Sequence, residues 1–313
     1  MDLSQLKTLI HVAELGSLSK ASERLNVVQP ALSRQIRQLE KELGAYLFDR
    51  HGRGMVITDT GREVLEHAAR IMGELDAIRA VTATRTEALS GLVTIGTPPT
   101  VAEIVTVPLA KLVRDAHPGL SLRFASAYSG YLLDWLRDGD LDFMLSYMSP
   151  EPLRTLRVTP VMIEDLLLVA PGSDGLALDK PVDFAALATL DLVLPSPRHG
   201  LRVIVEACAR RAGIEIRTVV EADSFRAMVD LVAGGFGSTV LPLAPIYPAV
   251  EAGVLSVAPL RDPTPARELV IAYPSDRAVS PAARFLGEAV TDLAADLVAR
   301  GIWVGRMLPR ARG

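Results

Sequence analysis

Gln29, Ser33, Arg34 and Arg37 fall within nine residues, at a spacing that puts them on one side of a helix. Their chemistry is that of base reading: glutamine pairs adenine through two hydrogen bonds, arginine forks onto guanine or a phosphate, and serine takes either partner. Pro30 and Ala31 between them are small and apolar, suited to a thymine methyl. Further along, Arg50 and Arg53 could grip phosphates beside the groove, contacts that set register without reading sequence. Taken singly, each of these is more often a solvated charge. It is the set together, on one helix following a short capped helix, that points to double-stranded DNA.

The elements that must carry these side chains follow from periodicity. Leu3, Leu6, Leu9, Ile10 and Ala13 recur at helical spacing and stop near Gly16. Ser17 or Ser19 can cap a second helix over Lys20–Leu25, which Asn26 ends. Gln29-Pro30 opens a third, with proline at a first-turn position where no amide bond is lost. Its apolar side is Leu32, Ile36, Leu39 and Leu43, closed by Gly44, and its opposite side displays Ser33, Arg34, Arg37, Gln38 and Lys41. Tyr46–Arg50 and Met55–Thr58 flank a double-glycine turn and predict a hairpin with Arg53 at its tip. Thr60 to about Arg85 is one proline-free helical pattern with a heptad seam at Val64, Ala68, Ile71, Leu75 and Ile78. That seam either packs on its own domain or pairs with a second copy.

Composition bounds the alternatives. The 313 residues are 49% hydrophobic and 22% charged, the balance of a folded soluble protein of two or three units. Net charge is −4, but residues 1–90 are neutral, twelve bases against twelve acids, so a local basic surface is compatible with an acidic chain. The most apolar stretch, Thr239–Val250, is broken by Pro242, Pro245 and Pro248, so no membrane association is expected. The N-terminus lacks a signal-peptide pattern, and a cytoplasmic location is the default.

Enzyme chemistry finds little support. Ser17-Leu18-Ser19-Lys20 matches the Ser-x-x-Lys pattern of penicillin-recognising enzymes but has no companion motif. The five histidines, His11, His51, His67, His117 and His199, lack metal-ligand spacing, so no metal is expected. Cys208, the single cysteine, reads as a small buried residue. Gly234-Gly235-Phe236-Gly237 precedes a strand, the wrong context for a dinucleotide loop. No catalytic residue and no cofactor are assigned.

Beyond residue 90 strands and helices alternate. Strands are expected at Leu92–Gly96, Leu120–Ser126, Asp142–Ser146, Asp165–Val169, Leu192–Leu194, Thr218–Val220, Ser238–Leu241 and Leu269–Tyr273. Helices are expected at Thr100–His117, Ser129–Arg137, Leu201–Ala212, Ser224–Ala233 and Pro281–Ala299. The order predicts an α/β region of two lobes with parallel sheets. The tail from Gly301 reads as a frayed end.

The ordered motifs of residues 17–61 resemble those of the LysR-type transcriptional regulators: Ser-Leu-Ser-Lys-Ala-Ser-Glu-Arg-Leu-Asn, Gln-Pro-Ala-Leu-Ser-Arg-Gln-Ile-Arg-Gln-Leu-Glu, Leu-Gly, Leu-Phe-Asp-Arg and Thr-Asp-Thr-Gly. The resemblance extends over nearly the whole chain through Gly96–Pro108, His117-Pro118-Gly119 and Gly139-Asp140-Leu141-Asp142. Thr97-Pro98-Pro99-Thr100 and Ser129-Gly130-Tyr131-Leu132 are similar to the nitrogen assimilation control branch.

The resemblance implies a winged helix-turn-helix at 1–58, all helical apart from a small β wing. A linker helix that pairs in a dimer follows at 59–88. A two-lobed α/β effector domain, similar to periplasmic binding proteins, occupies 89–313, with lobe I at 89–162 and 268–300 and lobe II at 163–267. It puts base-edge contacts on Gln29, Pro30, Ser33 and Arg34, with Arg37 near the backbone, and makes Arg50 and Arg53 wing residues. It places a small-molecule effector between the lobes, against Thr97, Pro98, Pro99 and Thr100, Tyr128 and Ser129, Ser146 and Tyr147, Arg198 and His199, and Asp223 and Ser224. Helix N-termini and the carboxyl ends of strands favour such a site on physical grounds. The implied assembly is a homodimer or homotetramer on an inverted-repeat operator, with RNA polymerase as a further partner. The second hypothesis is a solute-binding or metabolic protein whose α/β region does the main work.

Overall fold

The computed structural model describes residues 1–51, 54–82, 89–147, 156–275 and 277–309. Three helices open the chain, α1 (Leu3–Leu15), α2 (Leu18–Leu25) and α3 (Gln29–Leu43). A hairpin of β1 (Phe48–His51) and β2 (Gly54–Ile57) follows, then the long α4 (Asp59–Thr82). A reciprocal Asp2–Gln5 capping box starts α1, and Gly16 ends it in the left-handed conformation that glycine adopts without strain. Of the two candidate serines, Ser17 caps α2.

Leu6, Leu9, Ile10, Leu32, Ile36, Leu39, Leu47 and Phe48 form the core of this headpiece. Leu43, expected on the buried side of α3, is exposed in the last residue of the helix, before Gly44. α4 docks on the same core through Leu65 and Ala68. Of the expected seam, Val64 and Ala68 pack on this headpiece, Ile71 is exposed, Leu75 is half-buried, and the Ile78 side chain lies outside the described set. Residues 83–88, and with them Arg85, also lie outside it. Gly61 is a packing requirement: a Cβ there would stand 2.2 Å from the Leu47 carbonyl oxygen.

The remainder runs β3 (Gly91–Thr97), α5 (Pro99–Ala116), β4 (Leu120–Ser126), α6 (Ser129–Asp138), β5 (Phe143–Tyr147), β6 (Leu156–Asp165), β7 (Leu167–Pro171), β8 (Val182–Asp183) and β9 (Asp191–Leu194). It continues α7 (Gly200–Ala212), β10 (Arg217–Glu221), α8 (Phe225–Ala233), β11 (Thr239–Leu241), α9 (Tyr247–Glu251), β12 (Leu255–Arg261), β13 (Ala266–Pro274), α10 (Pro281–Ala299) and β14 (Gly305–Met307). One sheet has the order β14-β6-β13-β5-β3-β4. A second, β11-β7-β12-β8, is joined to the β10-β9 pair by a bridge between Leu192 and Ser238. Separate apolar cores lie against the two sheets, so this region has two lobes. Among the described residues no helix is long and apolar enough to cross a membrane.

Three expectations are corrected. The sheets are mixed: β13 lies antiparallel between β5 and β6, and β7 antiparallel between β11 and β12, and each of these strands enters its lobe directly from the other. The expected strand at Asp165–Val169 is two strands, the end of β6 and the start of β7, with Leu166 between them. β6 itself carries Pro160 in mid-strand, tolerated where the register against β13 shifts at a bulge. The tail is ordered as far as residue 309: β14 pairs with β6, and Trp303 is 1% exposed. Arg310 and Arg312 lie outside the described residues.

Candidate nucleic-acid interface and ligand cleft

The headpiece turns one face of α3 outward. Leu32, Ile36 and Leu39 are buried, and Gln35 is turned to α1, where it meets Thr8 and Ser4. That leaves Gln29, Pro30, Arg34, Arg37, Gln38 and Lys41 exposed and Ser33 half-buried. The Arg37 Nε donates to the Ser33 carbonyl at 3.2 Å, so its guanidinium lies along the helix. Ser19 donates to the Gln29 side-chain oxygen at 3.2 Å and ties the start of α3 to α2.

The wing is anchored by a residue that the sequence alone does not single out. Glu40 accepts from the Leu47 and Phe48 amides at 3.0 and 3.3 Å, so this carboxylate is spent on the wing's first strand and not on the basic face of α3. The Met55 amide donates to the Gly16 carbonyl at 2.9 Å, fixing the hairpin to the turn after α1. Arg50 pairs with Met55 in the ladder, and Arg53 lies outside the described residues.

The chain passes between lobes twice, β6 to β7 and β12 to β13, and the two crossings are hydrogen-bonded to each other, Leu166 amide to Pro265 carbonyl at 2.9 Å. Beside them sits a polar cluster with the buried Glu164 at its centre. The Glu164 carboxylate accepts from the Arg267 Nε and from the Trp303 indole, both at 2.6 Å. Arg267 also donates to the Thr100 hydroxyl at 3.3 Å, and its guanidinium lies 3.5 Å from the centre of the Tyr147 ring. Thr100 and Tyr147 share a hydrogen bond at 3.3 Å. Burial alone would lower the Arg267 pKa, but the Glu164 carboxylate, by charge and hydrogen bond, holds the guanidinium above its ordinary value. Burial pushes the Tyr147 phenol well above its usual range, so it stays a neutral hydrogen-bonding group.

Of the expected cleft residues, Thr100 and Tyr147 therefore meet at the floor. Thr97, Pro98 and Ser146 are buried beside them at the strand ends, the Thr97 hydroxyl without a hydrogen-bond partner among the described residues, and Pro99 is half-buried. A second group meets nearer the rim and joins the lobes. Tyr128, at the start of α6, donates its hydroxyl to the Asp223 carbonyl and packs edge-on against His199 with ring centres 4.9 Å apart. His199 caps α7, its Nδ1 accepting from the Leu201 amide at 3.2 Å. Burial, then the charge of Arg267, lowers its pKa against the opposing pull of Asp223. The Asp223 carboxylate takes the Ser196 amide at 2.9 Å, which lowers its pKa. Ser224 spends its hydroxyl capping α8. Ser129 is half-buried at the opening of α6, and Arg198 is exposed on the loop before α7.

Glu164, Arg267 and Trp303 were not singled out in the sequence. The signal available was opposite charge, Glu164 and Arg267, beside the two lobe boundaries expected at 162/163 and 267/268.

Comparison with known proteins agrees with both halves. Residues 3–62 match the model of the bacterial regulatory helix-turn-helix protein, lysR family, and residues 86–295 match the LysR substrate binding domain. The chain is 31% identical over 247 residues to the nitrogen assimilation regulatory protein of Klebsiella aerogenes, covering 77% of this chain and 78% of that protein. It is 29% identical to the HTH-type transcriptional regulator YfeR of Shigella flexneri, covering 93% of each. Among solved structures, a mutant of OxyR from Corynebacterium glutamicum superposes with a TM-score of 0.61 at 26% identity, covering 98% of both chains. The reader helix, the two lobes and these matches together place the chain in the LysR family of DNA-binding transcriptional regulators with an effector-binding domain.

Proposed function

We propose that two copies of the chain pair and set their α3 helices into the major groove of an inverted-repeat operator, with half-sites about one helical turn apart. In this reading residues 1–58 are the reader, 59–88 the pairing linker and 89–313 the sensor. A dimer or tetramer carries the symmetry. Gln29, Pro30, Ser33 and Arg34 address bases, while Arg37, Arg50 and Arg53 hold phosphates. The observation that carries it is the division of α3, with Leu32, Ile36 and Leu39 buried and Gln29, Arg34 and Arg37 outward.

The sensor reading rests on the cleft between lobes. A small molecule there would meet Thr97, Pro99, Thr100, Ser146 and Tyr147 from below, and Tyr128, Ser129, Arg198, His199, Asp223 and Ser224 from the sides. By binding one lobe arrangement better than another it would shift the dimer geometry and transcription initiation by RNA polymerase. The regulator acts in the cytoplasm and has no catalytic role.

The nitrogen assimilation regulators, YfeR and the peroxide-inducible activators match at 28–31% identity, so the proposal is made for the function common to the family and not for one branch. Peroxide sensing by a thiol pair is not favoured. Cys208 is the chain's single cysteine, it is 5% exposed, and burial raises its pKa away from the reactive thiolate.

The test is selection of duplexes from a random-sequence pool by the full chain, followed by titration against salt. An inverted repeat with steeply salt-dependent affinity is expected. Failure to enrich any sequence rejects the reading.

A further inference from the structure

Val28 starts the reader helix and is the wrong residue for the position. It is the N-cap of α3, at φ −60° and ψ 135°, and it supplies no side-chain hydrogen bond. Asp2, Ser17, His199, Ser224 and Ser280 do so for α1, α2, α7, α8 and α10, whereas Pro98, Tyr128 and Ile246 do not for α5, α6 and α9. A valine here offers no side-chain acceptor of the kind that serine, threonine, asparagine or aspartate brings to this position; Pro30 has no amide to satisfy, and the Ala31 amide is taken by the Val28 backbone. Nor does packing account for it: Val28 is 72% exposed and takes no part in the headpiece core, while Val27 beside it is 37% exposed. Its backbone is nonetheless fixed, the Val28 carbonyl accepting from the Ala31 amide at 2.9 Å, and Ser19 holds the neighbouring Gln29. An apolar, β-branched side chain is thus held rigidly in water at the leading edge of the face that carries Gln29, Pro30 and Arg34.

We propose that Val28 determines sequence specificity by packing its isopropyl group on the C5-methyl of a thymine in each half-site. The inference rests on the reading of α3 as the helix that enters the groove, where the first residues of such a helix reach base edges. The apolar feature of the major-groove edge is the thymine methyl, and an exposed valine has no hydrogen bond to offer any other base. Pro30 and Ala31, small apolar residues two and three positions further on, are the competing readers of such a methyl.

The probe is the duplex enriched from a random pool by the full chain, with each thymine replaced singly by deoxyuridine, which removes the methyl and nothing else. Wild type is expected to lose about fourfold in affinity at one thymine per half-site, the worth of one buried methyl group. V28S and V28A are expected to bind the thymine and uracil duplexes equally at that position. V28S should keep the wild-type melting temperature, since the exposed Val28 side chain takes no part in the core, and a melting curve checks that the headpiece is folded. Wild type indifferent to every such replacement, or V28S keeping the full preference for thymine, overturns the inference; the second result assigns the methyl to Pro30 and Ala31. A pool that enriches no sequence overturns the reading of α3 and this inference with it.

Discussion

Arg267 and Glu164, 103 residues apart in sequence, form a buried ion pair at the point where the two lobe-crossing strands run side by side. The carboxylate is completed by Trp303 and the guanidinium by Thr100 and the Tyr147 ring, so neither charge faces an apolar wall unpaired. Such a pair does little for net stability compared with an apolar filling, because both ions are stripped of water. What it does is fix geometry: a hydrogen-bonded pair has one low-energy arrangement, and here that arrangement ties β6, β13, the tail and the first turn of α5 together beneath the cleft.

Removing one partner should therefore cost far more than removing both. Glu164→Ala leaves a buried guanidinium without its counter-ion, and about 3–5 kcal/mol of effector-domain stability is expected to go. The double change Glu164→Leu with Arg267→Met should cost clearly less. Urea unfolding of the full chain, followed by tryptophan fluorescence, gives both values. Equal losses for single and double changes would show that the pair is not the unit that matters.

The tail is held by the same carboxylate. Trp303→Phe keeps a six-membered ring in the pocket but removes the pyrrole with its donor, so about 1.5–3 kcal/mol is expected for the lost hydrogen bond to a charged group, with the cost of the gap left behind added to it. Protection of the β14 amides against hydrogen exchange should fall at the same time. Unchanged exchange at residues 305–307 would mean that β14 holds the tail without Trp303.

The reader was legible in the sequence because its signals are local: a 4-3-4 apolar spacing in Leu32, Ile36, Leu39 and Leu43, a proline at the helix start and glycine at its end. The exception is Leu43, the last residue of α3, which keeps the apolar period but is exposed. The cleft floor was not legible, since Glu164, Arg267 and Trp303 come from three distant segments and meet only through strand pairing. Two of the missed strands contain proline, Pro160 in β6 and Pro259 in β12, which demotes a strand when no partner is known. The mixed sheets follow from the same long-range pairing. Tyr128, His199 and Asp223 could be assigned to the cleft through the family resemblance, but not their mutual contact.

On the reader face, Arg34 and Arg37 should separate by role. Arg34→Ala is expected to cost about 1–3 kcal/mol on the selected duplex and to relax base preference at one position. Arg37→Ala should weaken all duplexes alike and lower the salt slope by about one. Fluorescence anisotropy at several salt concentrations distinguishes the two, and a uniform loss for Arg34→Ala would move it to the phosphate contacts.

His199 makes the interlobe contact sensitive to pH. Its Nδ1 accepts a hydrogen bond, and its pKa is held below the ordinary 6.5 chiefly by burial, with Arg267 adding to the shift and Asp223 opposing it. The folded state then binds fewer protons than the unfolded state as pH falls through 6.5, so the stabilisation is complete above that value and is lost progressively below it. His199→Asn keeps an oxygen to cap α7 but does not titrate. Wild type should lose stability relative to this variant between about pH 7 and pH 5. Parallel pH profiles for the two proteins would exclude His199 as the source.

Tyr128 sets how firmly the lobes are held together. Its hydroxyl donates to a backbone carbonyl of the other lobe, and its ring meets an imidazole there, so one side chain spans the rim. Tyr128→Phe retains the ring contact and removes the hydrogen bond, a loss of about 0.5–1.5 kcal/mol, equivalent to a shift of roughly two- to tenfold toward the open arrangement. The two sheets, whose cores lie elsewhere, should be unaffected. Hydrogen exchange is the suitable measure: amides at 196–201 and 222–225 should exchange faster in the variant, while those of β3 and β13 keep their wild-type rates. If all four segments accelerate together, the hydroxyl supports the whole domain and not the interlobe contact. If none does, the ring packing against His199 carries that contact alone.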